Sequence, residues 1–513
     1  MTEIGTFFLN LYMLQLLTSD QIREADAYTI KTKPISSIDL MESAALAFVK
    51  VFKQEVPDPE TSISIYCGTG NNGGDGLAIA RLLKQSAYTR VSVNIFRLSD
   101  KESPDFRINL ERLHAAGIIA KEINAGDVAA QENARVIIDA LIGSGLNKSI
   151  EGPLKYLITD LNRLKRKVYA VDIPSGLPSE GPIHPDACVL KASLCISFQR
   201  PKINFFFPES AIVAERFKVV DIGLDETYIQ AQSGSWKLIE ERDISNSIKP
   251  RKAFSHKGNY GHALIIAGNT ETMGAALLCA DACLHAGAGL STASIPENGL
   301  SALNSYAPEV MYLPRKELST ALTTGKYDAV AIGPGLGKEH ESVDLVRQTL
   351  ILKDTALVID ADGLNILASN PNLINQLPHK CIICPHVKEF DRLFGKSNNW
   401  WDRVSIAVQK AKELGIIILL KNQYTFIVQP DGNILINPTG NPAMAVGGMG
   451  DVLTGMIAAF LAQGYSPETA AILSVYLHGY AGDELKEMNS VPPRYLTRII
   501  PGVIHKFTSP SQG

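Results

Sequence analysis

Short apolar runs alternate with amphipathic stretches along most of the chain, beginning at Ile63. Short apolar runs predict buried strands, and apolar residues that recur every three or four positions predict helices. The predicted strands of the first half are 63–67, 91–96, 136–141, 168–173, 188–198 and 217–222, and its predicted helices are 77–85, 106–116 and 154–165. Strands that alternate with helices are typical of a mainly parallel sheet, so the pattern predicts an α/β fold.

A second series of the same kind follows a polar stretch at 225–252, which we interpret as a linker with the domain boundary near Ser235. This series contains predicted strands at 262–267, 329–332, 356–359 and 416–420, a helix at 275–286, a hairpin of 424–428 with 433–437, and two helices from Val452 onward. We therefore predict two domains, residues 1–234 and 235–513, each with its own core.

The composition is that of an ordinary globular protein, with 45% hydrophobic and 20% charged residues. A formal net charge of −4 gives no reason to expect nucleic acid or an acidic membrane as a partner, so small molecules are expected. Seven cysteines are too few, and odd in number, for a disulfide framework, which favours a cytoplasmic location. Cys381 and Cys384 lack a second pair that would complete a zinc site, and we expect buried thiols there, as at Cys279 and Cys283.

The apolar segment 7–17 has no basic region before it, no cleavage site after it, and too little length to span a bilayer. Thr18 and Gln21 have the spacing of a capping box, which predicts the start of a helix. Met13 is therefore a candidate start codon.

The first glycine-rich segment, Gly68 to Gly76, directly follows a predicted strand and precedes a predicted helix. Bare backbone N–H groups at a helix N-terminus, with glycines that permit close approach, favour a bound phosphate. A tight turn is the alternative, although five glycines exceed what a turn requires. It is not a Walker loop, because no Gly-Lys-Ser/Thr follows.

Two further strand ends carry polar residues, in Asp139 to Gly145 and in Asp172 to Gly176. Ligands of parallel α/β sheets lie beyond the carboxyl ends of the strands, so these segments are expected to converge on the loop at Asn71. Their carboxylate and hydroxyl oxygens suit an alkali or alkaline-earth cation, or acid/base work. For Asp139, a helix cap is the alternative.

Together, 71–76, 139–145 and 172–176 closely resemble the NAD(P)HX epimerase domain, over roughly the first 225 residues. The resemblance implies a Rossmann-like three-layer α/β domain that equilibrates R- and S-NAD(P)HX at C6. It implies K⁺ held by Asn72, Asp139 and Ser175, and it makes Asp172 the candidate for acid/base work. The implied substrate-binding residues are Asn71, Asn72, Gly73, Gly74, Asp75, Gly143, Ser144, Gly145, Leu146, Asn147, Lys148, Ser149 and Asp172.

The second glycine-rich segment, Gly440 to Asp451, runs into a predicted helix. Gly447, Gly448 and Gly450 leave N–H groups bare, which suits phosphate charge that develops in a transition state. Asp451 can then accept the proton of an attacking hydroxyl, although an aspartate that merely caps the helix is the alternative.

From about Ser235 to the end, the chain resembles the ribokinase-like ADP/ATP-dependent NAD(P)HX dehydratase domain. The segments that carry this resemblance are this loop and residues 268–289, 333–337, 360–365 and 385–390. That family transfers a phosphoryl group from ADP or ATP, with Mg²⁺, to the hydrate hydroxyl and then eliminates phosphate. The implied nucleotide contacts are Lys421, Asn422, Gln423, Tyr424, Thr425 and Gly450, and the implied substrate contacts are Ala275, Gly337, His386 and Asp451. For His386, a satisfied core histidine is the alternative. Departures from the family pattern at 422–423, 446 and 449 make the nucleotide preference less certain.

The combined prediction is a bifunctional enzyme that repairs NADHX and NADPHX, with ADP or ATP as phosphoryl donor, acting as a cytoplasmic homo-oligomer. The alternative is a ribokinase-like small-molecule kinase fused to a nucleotide-binding scaffold domain, because the loop at Asp451 alone would serve a kinase.

Overall fold

The computed structural model describes residues 13–97, 101–124, 132–146, 148–352 and 355–508. Within these ranges the chain forms two compact units: residues 15–234 with 399–401, and residues 13–14, 235–398 and 402–508. No helix in these ranges is both long and apolar enough to cross a membrane. Asn147 and residues 7–12 of the apolar segment 7–17 lie outside the described residues.

The N-terminal unit is built on a seven-stranded sheet in which every pair of neighbouring strands is parallel. The first strand of the chain, β1 (Leu14–Gln15), is not part of this sheet. The strands of the sheet are β2 (Ile63–Cys67), β3 (Val91–Phe96), β4 (Ala120–Ile123), β5 (Val136–Ala140), β6 (Lys167–Val171), β7 (Leu194–Phe198) and β8 (Phe217–Val220). Their spatial order is β4-β3-β2-β5-β6-β7-β8. Its helices are α1 (Ser19–Thr32), α2 (Ser37–Glu55), α3 (Asn71–Gln85), α4 (Pro104–Ala115), α5 (Gly152–Arg163) and α6 (Glu226–Gln230).

Both faces of this sheet are covered, because every residue of β2, β5 and β7 is buried. Side chains alternate along each strand, so Ile63 and Ile65 pack with α2 and α3, while Tyr66 and Ile137 pack with α5 on the other face. The result is a three-layer α/β unit.

The C-terminal unit has a larger, mixed sheet in the spatial order β1-β9-β18-β17-β16-β15-β14-β13-β10-β11-β12. Its strands after β1 are β9 (Trp236–Leu238), β10 (His262–Ile266), β11 (Leu290–Ser294), β12 (Met311–Tyr312), β13 (Ala329–Ile332), β14 (Ala356–Ile359), β15 (Ile382–Ile383), β16 (Ile417–Leu420), β17 (Phe426–Val428) and β18 (Ile434–Ile436). Neighbouring strands are parallel in the part of the sheet with the order β16-β15-β14-β13-β10-β11-β12. The strand β17 makes antiparallel pairs with β16 and β18.

The helices of this unit are α7 (Glu241–Ser247), α8 (Met273–His285), α9 (Leu300–Tyr306), α10 (Leu318–Thr323), α11 (His340–Leu350), α12 (Asp362–Ser369), α13 (Pro371–Ile374), α14 (Val387–Phe394), α15 (Trp400–Leu414), α16 (Met449–Ala462), α17 (Pro467–Glu484) and α18 (Pro493–Thr508). The almost wholly apolar α16 is buried along its length and packs against α8. Gly455 permits that contact, since a Cβ there would lie 2.1 Å from the Cys279 carbonyl oxygen.

The predicted fold class is confirmed, and so is the capping box of Thr18 and Gln21. The stretch 225–252, interpreted as a linker, contains the division between the two units at Ser235, but it is structured, because α6, β9 and α7 lie in it. These short, polar elements have too little apolar periodicity to be recognised. The strand predicted at 188–198 begins only at Leu194, and three helices, rather than two, follow the second glycine loop.

Replacing Gly455 with alanine should destabilise the C-terminal unit by about 1–3 kcal/mol, because the new methyl group has no room between α16 and α8. The matched control is Gly502→Ala in α18, where a Cβ would meet nothing within 4 Å. That variant should be stabilised by up to about 1 kcal/mol from helix propensity. Urea unfolding of both variants measures the difference, and equal effects would contradict the packing described here.

Candidate active sites

The first glycine-rich segment runs into α3, which begins within it at Asn71 rather than after it at Leu77. The N-cap is Gly70, and no side chain caps the helix there. A Cβ on Gly73 would lie 1.8 Å from the Gly68 carbonyl oxygen, so only glycine permits this approach of the helix to the strand end. The first turn therefore presents bare N–H groups of the kind that bind anions.

Asp139 lies at the end of β5 and is fully buried. It accepts hydrogen bonds from the Ser175 backbone N–H at 2.8 Å and from the Ser175 hydroxyl at 2.6 Å. The alternative of a helix cap was wrong, because Asp139 is a strand residue and joins two strand ends. Burial raises the pKa of its carboxyl to about 6, against the lowering effect of the hydrogen bonds from Ser175.

The side-chain oxygen of Asn72, Oδ1, lies at the same strand ends and accepts no hydrogen bond from the described residues. Its amide nitrogen donates to the Val171 carbonyl oxygen at 2.9 Å, and its side chain lies close to Gly143. Its Oδ1 is buried and has no hydrogen-bond partner among the described residues. An orphaned amide oxygen beside a carboxylate and a hydroxyl fits a hard cation such as K⁺.

Asp172 follows β6 with a left-handed backbone, φ +67°, and is paired with Lys202. The Lys202 Nζ lies 2.6 Å from Asp172 Oδ1, and the Phe198 N–H donates to the same oxygen at 2.9 Å. Lys202 was not identified from the sequence. Its position directly before the mainly apolar run at 203–207 was the signal that it is buried. A buried lysine needs an anionic partner, so this position also indicated an ion pair.

The charge of Asp172 acts on two further carboxyls. Burial, with the charge of Asp172, raises the pKa of Asp26 on α1 to about 6, although Lys202 lowers it. Burial, with the charges of Asp172 and Asp26, raises the pKa of Asp75 on α3 well above its usual value. The predicted residues Asp75 and Asp172 therefore interact electrostatically, and Asp26 and Lys202 belong to the same group of charges.

The remaining predicted residues of this half follow β5 in one loop. Gly143 and Ser144 are half-buried, whereas Gly145, Lys148 and Ser149 are exposed. Leu146 and Ser149 line a cavity of about 440 Å³ together with His184. In the described residues, this part of the loop extends from the oxygens of Asn72, Asp139 and Ser175 toward a cavity large enough for a ligand ring.

In the C-terminal unit, Asp360 follows β14 and is 2% exposed. It accepts hydrogen bonds from the Lys421 ammonium at 2.9 and 3.2 Å, from the Thr454 hydroxyl at 2.8 Å and from the Ala361 N–H at 2.7 Å. Burial lowers the pKa of Lys421, but the charges of Asp360, Cys384 and Glu389 and the hydrogen bond to Asp360 together outweigh it, and the net pKa is raised. Lys421 therefore remains a cation although it is half-buried.

The helix α16 points its N-terminus at this ion pair. Its N-cap is Gly448, in the left-handed region with φ +95°, and no side chain caps it. A Cβ on Gly450 would lie 3.5 Å from Lys421 Nζ and 3.6 Å from Asp360 Oδ2. A lysine and a bare helix N-terminus thus face the same point, which favours a phosphate there.

Asp451 lies in the first turn of α16 and does not cap the helix, so the alternative of a helix cap was wrong. Burial, with the charges of Asp360 and Asp362, raises the pKa of its carboxyl to about 7, although the charge of Lys421 lowers it. A carboxyl with a pKa near neutrality suits proton transfer at neutral pH.

A cavity of about 290 Å³ lies beside Lys421 and Gly450. Of the predicted nucleotide contacts, Lys421, Asn422, Gln423, Thr425 and Gly450 line it. His478 on α17 also lines it and was not identified from the sequence, where it is one residue in an apolar helix. Burial lowers the pKa of His478 to about 4, and its Nε2 has no hydrogen-bond partner among the described residues.

The predicted substrate contacts lie around the same centre. The Gly337 N–H donates to Asp362 Oδ2 at 2.9 Å, and Ala275 lies against the glycine loop 333–337. His386 caps α14, where its Nδ1 accepts from the Lys388 N–H at 3.0 Å. The alternative of a core histidine was wrong, because His386 is exposed. Burial and then the charge of Lys421 lower its pKa.

Comparisons with known proteins match both halves. A family model described as NAD(P)H-hydrate dehydratase matches residues 263–502, and a model described as the YjeF-related protein N-terminus matches residues 37–204. The bifunctional NAD(P)H-hydrate repair enzyme of Moorella thermoacetica is 35% identical over 495 residues, which cover 92% of each chain. The repair enzyme of Escherichia coli is 33% identical over 477 residues, which cover 91% of this chain and 89% of that one.

Among solved structures, a ribokinase-like superfamily protein from Enterococcus faecalis is 30% identical, with a TM-score of 0.50, and covers 54% of this chain and 99% of its own. The relatives match both halves of the chain, which favours the predicted repair enzyme over a kinase fused to a scaffold. Because this similarity extends over nearly the whole length, the chain belongs to the family of bifunctional NAD(P)H-hydrate repair enzymes.

Proposed function

We propose that the N-terminal unit interconverts R- and S-NAD(P)HX and that the C-terminal unit dehydrates the S epimer with ADP or ATP as phosphoryl donor. The observation that carries this proposal is the presence of two separate sites, each with a lysine-paired aspartate beside an uncapped helix N-terminus. Dehydration consumes only the S epimer. Epimerisation converts the R epimer to the S epimer, so all of the hydrated cofactor can be restored.

In the epimerase site, residues 71–75 at the start of α3 bind the phosphates of the substrate, and the loop 143–149 holds its nicotinamide end. The oxygens of Asn72, Asp139 and Ser175 hold K⁺, which supplies positive charge beside the substrate phosphates. The unpartnered Asn72 Oδ1 is the structural feature that supports a cation there. Asp172 does the acid/base work.

In the dehydratase site, the nucleotide occupies the cavity beside Lys421, with its terminal phosphates at the N-terminus of α16. Asp360 and Asp362 would hold the Mg²⁺ that accompanies these phosphates, because Mg²⁺ takes carboxylate and phosphate oxygens as ligands, and the ion would offset the phosphate charge. Ala275, Gly337 and His386 contact the hydrate.

Asp451 accepts the proton of the C6 hydroxyl as its oxygen attacks the terminal phosphorus, and the bond from phosphorus to the leaving nucleotide oxygen breaks. ADP thereby becomes AMP, or ATP becomes ADP. Loss of phosphate from C6 and of a proton from C5 then restores the double bond of the reduced nicotinamide ring.

The homo-oligomer and the cytoplasmic location remain predictions. Sedimentation equilibrium of the purified chain tests the first, and a mass equal to one chain at every concentration would contradict it.

Asp451→Asn should lower nucleotide-dependent recovery of the near-ultraviolet absorbance of NADH by about 100-fold or more, because the amide cannot accept the hydroxyl proton. Exchange of the two epimers should be unchanged, since it takes place in the other unit. The control is Asp431→Asn in the exposed hairpin turn. Recovery at the wild-type rate in Asp451→Asn would refute the assigned role.

Asp451 also predicts how stability depends on pH. Its folded-state pKa of about 7 lies above the usual aspartate value of 3.8, so the folded chain holds more protons between these pH values, and its stability falls as pH rises across this range up to about 7. Asp451→Asn should therefore melt a few degrees above the wild type at pH 8 and at the wild-type temperature near pH 4. A difference of the same size at both values would show that the charge is not responsible.

Asn72→Ala should raise the K⁺ concentration needed for half-maximal epimer exchange at least about 10-fold, because it removes an unpartnered oxygen ligand. Its neighbour provides the matched control, since Asn71→Ala should raise the KM for the hydrate without changing the K⁺ requirement. An unaltered K⁺ requirement in Asn72→Ala would rule out this cation site.

A further inference from the structure

One wall of the nucleotide cavity in the C-terminal unit is formed by a loop. Residues 439–445, which we call the wall loop, follow β18 and precede the glycines that lead into α16. The members of the wall loop that line the cavity are Thr439, Gly440, Asn441, Pro442, Met444 and Ala445. A loop has few backbone hydrogen bonds of its own, so its shape depends on the groups that hold it.

The helix α17 holds the beginning of the wall loop. A Cβ on Gly479 would lie 2.3 Å from Thr439 Oγ1, so the helix and the loop are in direct contact there. The Thr439 hydroxyl donates a hydrogen bond to the Tyr476 carbonyl oxygen at 2.8 Å. In the last turn of α17, the Asp483 carboxylate reaches the next two residues of the wall loop.

Each carboxylate oxygen of Asp483 accepts one hydrogen bond from the wall loop. Oδ2 accepts from the Gly440 N–H at 2.9 Å, and Oδ1 accepts from the side-chain amide nitrogen of Asn441 at 3.0 Å. The amide oxygen of Asn441 accepts from the Ala443 N–H at 3.0 Å, which fixes the orientation of that amide. Both partners of Asp483 are therefore donors, and a carboxylate can accept from both, whereas an amide of the same size has only one acceptor atom.

Gln423 holds the other backbone group of Gly440. Its Nε2 donates to the Gly440 carbonyl oxygen at 3.0 Å. Gln423 belongs to the segment 421–425, which follows β16, so this bond joins two separate segments that line the cavity. Gly440 has a φ of +107°, a backbone conformation that favours glycine. Side chains thus fix both its N–H, through Asp483, and its C=O, through Gln423.

We propose that Asp483 is a positioning residue for the nucleotide, and that its two hydrogen bonds, with that of Gln423, hold the wall loop in the shape that binds ADP. This inference rests on the proposed dehydratase function of the C-terminal unit. Asp483 is not among the described residues that line the cavity, so it acts through Gly440 and Asn441, which do line it. A wall that is ordered before the nucleotide arrives lowers the entropic cost of binding.

The first test compares Asp483→Asn with Glu484→Gln in the full chain. Asp483→Asn keeps the size of the side chain but can serve only one of the two donors. It should raise the Kd of ADP with Mg²⁺, measured by titration calorimetry, and the KM for ADP in dehydration of S-NADHX about 10-fold, while kcat changes less than about 3-fold. Glu484→Gln breaks only an exposed ion pair with Lys506 and should change none of these values.

The kinetic result separates positioning of the nucleotide from a part in the chemistry. An effect on KM and Kd with little effect on kcat supports the proposal, because ADP at saturation restores the occupied site. Wild-type values of Kd and KM in Asp483→Asn, or a lower kcat with an unchanged KM, would overturn the positioning role.

Hydrogen exchange, followed by mass spectrometry of proteolytic peptides, gives a readout that needs no activity. Without nucleotide, the Gly440 amide should exchange at least about 10 times more slowly in the wild type than in Asp483→Asn, because its N–H is bonded to the carboxylate. Gly464, whose N–H donates to the Leu461 carbonyl oxygen, is the control and should exchange equally in both proteins. Equal exchange of Gly440 in both proteins, or the same acceleration at Gly464, would overturn the proposed anchoring.

A double-mutant cycle tests whether Asp483 and Gln423 act on the same glycine. Gln423→Ala changes an exposed side chain and should raise the Kd of ADP about 3-fold. In the double variant the increase in Kd should be smaller than the product of the two single increases, because both side chains hold Gly440. An increase equal to that product would overturn the shared role.

If the wild-type chain neither binds ADP nor uses a nucleotide to dehydrate the S epimer, the proposed dehydratase function fails. If the wild type does both and Asp483→Asn has the same Kd and KM for ADP, only the assignment of Asp483 fails.

Discussion

A carboxylate buried at the end of a parallel strand needs a cation beside it, and both sites of this protein depend on that constraint. Asp172 follows β6 and is paired with Lys202, and Asp360 follows β14 and is paired with Lys421. In both places the backbone turns through a left-handed residue, Asp172 in one and Ala361 in the other. Each lysine thus compensates a charge that the fold buries and places a positive group where an anionic substrate is expected.

The same constraint separates the roles of neighbouring carboxyls. Asp172 and Asp360 each have a lysine partner, whereas burial and the charges of Asp172 and Asp360 raise the pKa of Asp26 to about 6 and that of Asp451 to about 7. Helix N-termini that no side chain caps complete both sites. The two units have different sheets, yet each combines an anion-binding helix end with one ion-paired and one easily protonated carboxyl.

The sequence predicted the buried strands well and the sites in part. The runs at 63–67, 91–96, 329–332 and 356–359 match β2, β3, β13 and β14 to the residue, because uninterrupted apolar runs leave little choice of register. Helix starts were placed late, at Leu77 and Val452, because glycine has low helix propensity, although here it permits close packing. The position of Lys202 before the run at 203–207 was a local signal of its burial, but its pairing with Asp172, 30 positions apart, depends on the folded sheet.

The central claim is that one chain carries two sites that act in succession on one damaged cofactor. The most direct measurement is chromatography of both epimers and of the nucleotides after incubation of the purified protein with mixed NADHX, alone and with ADP or ATP. Without nucleotide, we expect the epimers to reach equilibrium and no NADH to form. With ADP, we expect both epimers to disappear while NADH, AMP and phosphate accumulate in equal amounts. A stable phosphorylated product, or an R epimer that persists unchanged, would contradict it.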